Sequence, residues 1–288
     1  MELTWPEHLS LRLHIARWKN TKFYPRHFLA FQAGPYIIKT AENEAELFNC
    51  FRLRSDVFFN HSHRRFFKKT LDFDSFDHFF DHLMVMQQAS GKVLGTYRLR
   101  MIQSAKQSYA ANEFIIDPIL NCYSSILELG RASILPEHRT GSVIGLLWRG
   151  IAEYMNLANA ELLLGCSSLF ECSAKTAHEI FYYFRNNDYL HELVCQPKKK
   201  FRLPNVDYWH EQLYQSSYNS EHKQTQSLIP NLLMGYLKMG AKICSLPAWD
   251  RAFNCVDFLT IAHKDDLMNS SAARFFKSSN SNQISAQS

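Results

Sequence analysis

The feature that most constrains the fold is a succession of apolar segments between residues 126 and 166. Residues 126–135 have the character of a strand, Val143 to Leu157 form a nearly all-apolar helix, and Leu162 to Cys166 form a second apolar strand. Two neighbouring strands joined through a helix run parallel, and such a crossover is right-handed. The order therefore predicts the buried centre of a sheet that has helices packed against it.

The first of these strands carries two charges in an otherwise apolar run. Glu128 and Arg131 lie three positions apart within residues 127–133, and a basic loop containing Gly141 follows before the helix. Buried charges are costly unless they are paired, which leaves two interpretations. Either these side chains form a functional site at the end of the strand, or Glu128 pairs with an arginine and only fixes the strand.

Further elements follow from the same kind of periodicity. Predicted strands cover Pro35 to Lys39, 83–88, 92–102 and Phe253 to Ala262, and predicted helices cover Glu44 to Phe59, Ala174 to Asn186 and Leu228 to Met239. Together with the crossover they indicate a mixed α/β (α+β) fold, and one elaborated domain is the simpler arrangement.

Composition places the boundaries of this domain. Residues 1–33 form an extension rich in aromatic and basic residues, 34–268 form the domain, and 269–288 form a tail, Ser/Asn-rich from about residue 277, that we expect to be disordered. The extension is typical of either an interfacial anchor or a surface helix packed on the domain. Residues 190–226 are a polar insertion, longer than an ordinary connection, of the kind that forms a lid or a docking surface.

Charge and cysteine usage exclude several classes of protein. The net charge of +5 is modest for 288 residues and most of the bases are spread among acids, so no nucleic-acid partner is expected. Seven cysteines form no CxxC pair and cannot all be bridged, which fits reduced thiols in a cytoplasmic protein. No run of 18 apolar residues is present, so we expect no membrane span and leave peripheral contact with the inner face of the cytoplasmic membrane open.

Two other kinds of site receive little support from the sequence. His61, His63, His78 and His82 lie in one stretch, but there is no HExxH motif and no cysteine at ligand spacing, so no metal site is expected. Cys166 lies in an apolar strand and no histidine is placed beside it by the sequence. We therefore expect a buried structural thiol there and not a nucleophile.

Several motifs occur in a fixed order along about residues 50 to 260. They are Arg52-Leu53-Arg54 with Phe58, Asp74-Ser75-Phe76-Asp77 with Asp81-His82-Leu83, Gly95-Thr96-Tyr97-Arg98-Leu99, Glu128-Leu129-Gly130-Arg131, Leu146-Leu147-Trp148-Arg149-Gly150-Ile151, Gly165-Cys166-Ser167-Ser168, Gly235-Tyr236-Leu237-Lys238-Met239-Gly240-Ala241 and Asp250-Arg251-Ala252-Phe253-Asn254. In this order they resemble the acyl-carrier-protein-dependent N-acyltransferases that make N-acyl amino acids, as in the first step of bacterial ornithine-lipid synthesis. More distantly they resemble the acyl-homoserine-lactone synthases, and both groups have the GNAT-type fold.

The resemblance implies a fold, a reaction and its participants. The fold would be GNAT-like or autoinducer-synthase-like, with a central mixed twisted sheet flanked by helices. The reaction would move a (3-hydroxy)fatty acyl group from acyl carrier protein to the α-amine of an amino acid, with ornithine as the leading acceptor, the acyl carrier thioester as donor substrate and no bound cofactor. The alternatives are an acyl-homoserine-lactone-type or other N-acyl amino acid signal synthase, and a non-catalytic module that binds acyl carrier protein or a membrane.

The resemblance also assigns roles at the acceptor side of the reaction. Glu128 would receive the amine proton and Arg131 would act beside it, the two being the predicted catalytic residues. The predicted substrate-binding residues are Arg52, Arg54, Asp74, Asp77, Asp81 and Arg98. The carboxylates would pair with an amine of the acceptor and the arginines with its carboxylate. The alternative is a solvated acidic loop balanced by nearby bases.

On the donor side, Arg139, Gly141 and Ser142 precede the long apolar helix. One interpretation is that the first N–H groups of this helix hold the phosphate of phosphopantetheine. The alternative is that Ser142 is an ordinary helix cap. The glycine spacing departs from the coenzyme A loop of GNAT enzymes, which favours a carrier-protein donor. Candidate docking surfaces for an acidic carrier protein are Arg64-Arg65 with Lys68-Lys69, and Lys198 to Lys200 with Arg202.

Overall fold

The computed structural model describes residues 23–60, 71–204 and 222–276. These residues belong to two compact units. Unit 1 comprises residues up to Arg100, Gly130–Ala158 and the residues from Phe275 onward, and unit 2 comprises Met101–Leu129 and Asn159–Arg274. The first 22 residues of the predicted extension, the tail from 277 and the basic group at 64–69 lie outside the described residues.

The elements are as follows in chain order. The strands are β1 (Ala30–Ala33), β2 (Tyr36–Thr40), β3 (Asp81–Gln87), β4 (Val93–Ile102), β5 (Phe114–Ile115), β6 (Ile126–Ile134), β7 (Leu162–Phe170), β8 (Leu190–Pro197), β9 (Lys242–Ser245), β10 (Ala248–Asp250) and β11 (Cys255–His263). The helices are α1 (Glu44–Asn60), α2 (Asp117–Cys122), α3 (Ser142–Leu157), α4 (Ala174–Asn186), α5 (His222–Ser227), α6 (Asn231–Lys238), α7 (Lys264–Met268) and α8 (Ala273–Phe276). Short 3₁₀ helices lie at Ser75–His78, Ala105–Gln107, Ala110–Asn112, Pro136–His138 and Lys199–Phe201.

Unit 1 is built on an antiparallel arrangement. Strands β1 to β4 pair in sequence order, each antiparallel to the next. Helix α3 packs on β2 and β3 because Val143, Leu147 and Ile151 recur every four residues and are all buried. Helix α1 packs on β3 and buries Leu47 and Phe51.

Unit 2 has a mixed sheet. Strand β6 runs parallel to β7, β7 pairs antiparallel with the full length of β11, and β11 continues through β9 and the parallel β8 to β5. Two apolar clusters pack against it, one around Phe184 and Phe258 and one around Ile126 and Leu259. The predicted mixed α/β fold and the parallel β6–β7 pair are confirmed.

The described residues differ from expectation in three places, the first of which is helix α8, Ala273–Phe276, inside the tail that was predicted to be disordered. Leu190–Pro197, at the start of the predicted polar insertion, form strand β8, which pairs with β5 and β9. Cys195 and Pro197 are the buried residues of this stretch, and the polar side chains of Glu192 and Gln196 are exposed. The exposed polar side chains make the stretch look like a polar loop in the sequence, although it belongs to the sheet. Residues 30–33, inside the predicted extension, form strand β1.

Candidate active site

A buried charge network lies in unit 1 and begins with Arg54 on helix α1. Its guanidinium donates to Asp72 Oδ2 through Nε at 2.6 Å and to both oxygens of Asp77 through Nη1 and Nη2 at 2.7 and 3.1 Å. Arg54 and Asp77 are fully buried. The planar fork of arginine suits this bidentate geometry, and the arrangement leaves no N–H of Arg54 directed at solvent.

Two further arginines meet the same acidic segment. Arg98 on β4 donates through Nη1 to both oxygens of Asp74 at 2.8 Å and to Asp77 Oδ1 at 3.1 Å. Arg131 on β6 donates through Nη2 to Asp74 Oδ2 at 3.1 Å, and its Nε lies 3.3 Å from Asp72 Oδ2. Three arginines thus interlock with three aspartates.

The local sequence explains why the aspartates converge. Asp74 caps the 3₁₀ helix Ser75–His78, accepting from Phe76 N at 2.8 Å, and Asp77 reaches back to accept from Asp74 N at 2.8 Å. This reciprocal capping box fixes both carboxylates on one side of a tight turn.

Burial and the arginines act in opposite directions on these carboxyls. Burial alone would raise the pKa of Asp77, but Arg54 and Arg98 hold it well below its ordinary value. In the same way Arg54 and Arg131 outweigh burial and lower the pKa of Asp72. Asp72 and Asp77 are therefore ionised over the whole physiological range.

Among the described residues, one end of the network is more exposed than the rest. The side chain of Asp74 is 24% exposed and that of Arg131 is 13% exposed, whereas Arg98, Arg54 and Asp77 are at or below 1%. A ligand that approaches the network from solvent meets Asp74 and Arg131 first.

The backbone of β6 is distorted at Arg131. Its φ is 53°, in the left-handed region that costs a non-glycine residue about 1–2 kcal/mol. Ser133 Oγ donates to Arg131 O at 3.1 Å and the Asp72 and Asp74 carboxylates hold the side chain. Such strain in the middle of a strand is typical of functional positions.

Glu128 lies on the same strand, in the part that belongs to unit 2. Its Oε1 accepts from Ala110 N at 2.7 Å and its Oε2 accepts from Tyr109 N at 3.1 Å, and the residue is 2% exposed. The two N–H groups open the 3₁₀ helix Ala110–Asn112, where free N–H groups and the helix dipole favour a carboxylate. In the described part of the chain, β6 pairs with β7 only as far as Glu128.

The loop before α3 has a glycine at its turn. Gly141 is the residue that precedes the helix, with φ 97°, and Gly145 N donates to its carbonyl at 3.1 Å. Ser142 is therefore the first helical residue and not the cap. Arg139 donates from Nε to Ile134 O at 3.1 Å, and Arg139, Gly141 and Ser142 are all exposed.

Cys166 is not suited to nucleophilic chemistry. Burial raises the pKa of its thiol well above the ordinary value, and the negative charges of Glu113, Asp257 and Glu128 raise it further. The thiolate form is therefore scarce at neutral pH.

Comparisons with known proteins identify the kind of domain. Residues 53–149, which contain the whole charge network and the turn before α3, match the family model described as an acetyltransferase (GNAT) domain. The chain is 28% identical over 245 residues to an L-ornithine N(alpha)-acyltransferase of Agrobacterium fabrum, covering 79% of this chain and 80% of that protein. It is 28% identical over 204 residues to the protein of that name from Rhizobium meliloti, covering 67% of each chain.

The chain contains a GNAT domain and is an N-acyltransferase. Among solved structures, it is similar to an N-acyl amino acid synthase from uncultured soil microbes, FeeM, with a TM-score of 0.47, 8% identity and coverage of 84% of this chain and 98% of that one. It is also similar to a CoA-dependent acyl-homoserine lactone synthase, BjaI, with a TM-score of 0.41, 15% identity and coverage of 78% and 79%.

The remaining predicted site residues of this N-acyltransferase lie in different surroundings. Asp81 is fully buried and accepts from Tyr154 OH at 2.8 Å and from the backbone N–H groups of Arg26 and His27 at 2.9 and 3.0 Å. It holds the segment before β1 in place. Arg52 is exposed on α1.

Sequence reasoning missed two members of the buried network. Asp72 accepts from Arg54 and lies close to Arg131, and His82 is fully buried beside Asp77. The available signal was the repetition of aspartates in the segment that begins at Asp72, within a chain that also places arginines on the neighbouring strands.

Proposed function

We propose that this N-acyltransferase moves a (3-hydroxy)fatty acyl group from acyl carrier protein to the α-amine of L-ornithine, giving an N-acyl amino acid, the lyso form of an ornithine lipid. The observation that carries the proposal is the match to L-ornithine N(alpha)-acyltransferases along four fifths of both chains. The reaction joins the amine nitrogen to the acyl carbonyl carbon, breaks the C–S bond, and releases the carrier thiol.

The exposed end of the charge network supports an amino-acid acceptor. Asp74 offers a carboxylate to an ammonium group and Arg131 offers a cation to the acceptor carboxylate. Arg54 and Asp77 are fully buried and bonded to each other, so in this proposal they position Asp74 and Arg131 and do not touch the substrate themselves. The same positioning role is proposed for Arg98, which fixes Asp74.

Glu128 is the proposed proton acceptor for the attacking amine. It lies where the β6–β7 pairing ends, and its carboxylate is held in place by two backbone N–H groups. In an amide-forming step it takes a proton from the attacking nitrogen, directly or through water, and returns it to the departing sulfur.

The N-terminal end of α3 supports a phosphate-bearing donor. The N–H groups of Ser142, Val143 and Ile144, which precede the first helical hydrogen bond, have no partner within the helix, and the helix dipole adds positive potential there. Because Gly141 carries no side chain, a phosphate can approach these groups closely. The proposed donor contact is the phosphopantetheine phosphate of the carrier protein.

The test is a product analysis with separated donors and acceptors. Purified protein is incubated with 3-hydroxyacyl carrier protein or the matching coenzyme A thioester, and with ornithine, lysine or S-adenosylmethionine, and products are identified by mass spectrometry. We expect Nα-acylornithine from the carrier-protein thioester. Acyl-homoserine lactone formed from S-adenosylmethionine would replace the proposal with a signal synthase, and preference for coenzyme A would overturn the proposed donor.

Glu128→Gln tests the assigned base. We expect a loss of turnover of at least about 100-fold, in line with the usual contribution of general base catalysis, with unchanged binding of the carrier protein. The matched control is Glu137→Gln, which changes an exposed carboxylate that is paired with Lys92. Full turnover by the Glu128 variant would remove that residue from the reaction.

A further inference from the structure

Asp72 joins two of the arginines of the charge network in unit 1. It is buried, and it lies in the segment between α1 and β3. Arg54 Nε donates to Asp72 Oδ2 at 2.6 Å, and Arg131 Nε lies 3.3 Å from the same oxygen. All three residues belong to unit 1. A single carboxylate oxygen therefore connects helix α1 with the part of strand β6 that carries Arg131.

Asp72 is itself fixed to helix α1. Its backbone N–H donates to Ser55 Oγ at 2.5 Å, and Ser55 Oγ donates to the carbonyl of Phe51 at 2.8 Å. Ser55 follows Arg54 directly on the helix, so neighbouring positions of α1 hold both the backbone and the carboxylate of Asp72. Asp72 is therefore a fixed point against which the side chain of Arg131 is placed.

The carboxylate of Asp72 also separates two like charges. Arg54 and Arg131 are close enough to repel each other, and both attract Asp72 strongly enough to outweigh burial and lower its pKa. The three arginines and three aspartates of the network have no net charge, and neither do the α-ammonium and α-carboxylate of an amino acid taken together. Without the charge of Asp72 the network is positive, and Arg54 repels Arg131 with nothing between them.

Two aspartates contact the guanidinium of Arg131 at different nitrogens. Asp72 lies beside Nε, and Asp74 Oδ2 accepts from Nη2 at 3.1 Å. Because the guanidinium is planar and rigid, contacts at two of its nitrogens fix its plane and its direction. Asp74 is 24% exposed and is the carboxylate offered to the acceptor ammonium in the proposed function. Asp72 is buried away from that ammonium, so its contact with Arg131 persists when the acceptor is bound.

We propose that Asp72 is the positioning residue that makes a free α-carboxylate a requirement for the acceptor. The inference rests on the proposed function, in which Arg131 binds that carboxylate. Asp72 holds the guanidinium in place before the acceptor arrives, so affinity is not lost to the ordering of a flexible side chain. Asp72 acts through Arg131 and does not touch the acceptor. Amines without a carboxylate gain nothing from this arrangement and bind weakly.

Asp72→Asn is the primary test, and Asp56→Asn is its matched control. Asp56 is a half-buried aspartate of α1 that has no ion pair among the described residues. In Asp72→Asn we expect KM for ornithine to rise at least about tenfold, the usual contribution of a hydrogen bond to a charged group. We expect kcat and KM for the acyl donor to be unchanged, as when only acceptor binding is weakened. The control variant should match wild type in all three. A wild-type KM for ornithine in Asp72→Asn would overturn the proposal.

Ornithine amide separates positioning from a merely structural role. It keeps both amines of ornithine and has no carboxylate for Arg131 to bind. We expect wild type to show a KM for the amide at least about tenfold above that for ornithine, and Asp72→Asn to use the amide as well as wild type does. An equal defect of the variant with both acceptors would show that Asp72 only supports the fold of the site, and would overturn the positioning role.

Ser55→Ala tests the same role without removing a charge, and it gives the answer if Asp72→Asn does not fold. It removes the hydrogen bond that holds the backbone of Asp72. KM for ornithine should rise and KM for ornithine amide should stay at the wild-type value. An unchanged KM for ornithine in this variant would contradict the role of Asp72 as a fixed point.

The proposed function and this inference fail in different ways. Efficient acylation of ornithine amide by wild type would overturn the carboxylate requirement while N-acyl transfer to ornithine stands. Absence of an N-acylated product with ornithine would overturn the proposed function, and calorimetric binding of ornithine and its amide then tests Asp72 without acyl transfer. Tighter binding of ornithine than of the amide, lost in Asp72→Asn, supports the inference. Equal affinity of ornithine for wild type and variant overturns it.

Discussion

At the scale of single residues, His82 shows how the charge network of unit 1 controls a neighbour. The ring is fully buried, its Nε2 lies 3.3 Å from the carbonyl of Asp77, and its Nδ1 has no hydrogen-bond partner among the described residues. Burial lowers the pKa of His82 to about 4, with Arg54 and Arg98 adding to the effect against the attraction of Asp77. The neutral ring donates from Nε2 to the Asp77 carbonyl.

This depressed pKa makes stability depend on pH. An unfolded histidine titrates near 6.5, so between pH 6.5 and 4 the unfolded chain binds the additional proton and the free energy of unfolding falls as the pH falls. Over that window the loss amounts to roughly 3 kcal/mol. We expect urea unfolding of His82→Gln to show a flatter pH dependence than wild type between pH 6.5 and 4. A His82 variant with an unchanged slope would contradict the neutral ring.

Arg54 and Arg52 form a natural comparison, two positions apart on α1. Arg54→Met leaves Asp72 and Asp77 buried without that partner, which should cost about 3–5 kcal/mol of unfolding free energy. Arg52→Met changes an exposed side chain and should stay within about 0.5 kcal/mol. If Arg52 binds the acceptor carboxylate as predicted, its variant raises KM for the acceptor while the urea midpoint is unchanged. Equal destabilisation by the two variants would show that the ion pairs of Arg54 with Asp72 and Asp77 do not contribute the expected free energy of unfolding.

The sequence indicates which residue types gather at the site but not how they pair. Asp74, Asp77, Arg54, Arg98 and Arg131 were all singled out, and the structure joins them in one network. Their predicted roles were in catalysis for Arg131 and in substrate binding for the others, whereas most of their observed contacts are with one another. Pairing depends on which side of a turn each carboxylate occupies, and that depends on the tertiary packing of elements distant in sequence.

At the scale of elements, predictions succeeded where periodicity is strong. Helix α4 has its predicted limits, Ala174–Asn186, and α3 differs from its prediction by one residue, because long amphipathic or apolar segments allow few alternatives. Strand β8 could not be found in this way. Its exposed positions carry polar residues among the apolar ones, and its membership in the sheet depends on pairing with β9, more than 40 residues later.

The start of α3 gives a prediction about an element boundary. Gly141 has φ 97°, which an alanine can adopt only with strain of about 1–2 kcal/mol, whereas Gly145 lies inside the helix with only the Phe275 ring near its Cβ position, at 3.7 Å. Gly141→Ala should therefore lower the thermal midpoint, and Gly145→Ala should raise it by removing a glycine from a helix interior. If the loop holds the donor phosphate, Gly141→Ala also raises KM for the acyl donor. A Gly141 variant with wild-type midpoint and KM would contradict both roles.

At the scale of the whole molecule, the net charge of +5 hides a local concentration of bases. Lys198, Lys199 and Lys200 are exposed, and so are Arg202 and Arg251. Backbone contacts fix residues 198–202 in place: Lys198 N donates to Glu113 O at 2.7 Å, and Arg202 forms an antiparallel β-bridge with Ala248. The side chain of Arg251 donates to the carbonyl of Lys200. The sequence showed the lysine cluster, but only the fold adds Arg251, about 50 residues later, to what we call the basic surface of unit 2.

The basic surface of unit 2 predicts how the donor is recognised. An acidic carrier protein gains affinity from complementary charge, and this gain is screened by salt. We expect Lys198→Glu with Lys200→Glu to raise KM for acyl carrier protein at least tenfold at low ionic strength, to leave kcat for the bound donor unchanged, and to lose its effect as salt is added. Lys175→Glu, on the exposed face of α4, is the matched control because it reverses a charge of the same unit away from this surface. A double variant with wild-type KM at low salt would exclude this surface and direct attention to the basic residues at 64–69, since docking of an acidic partner requires one of the two charge clusters.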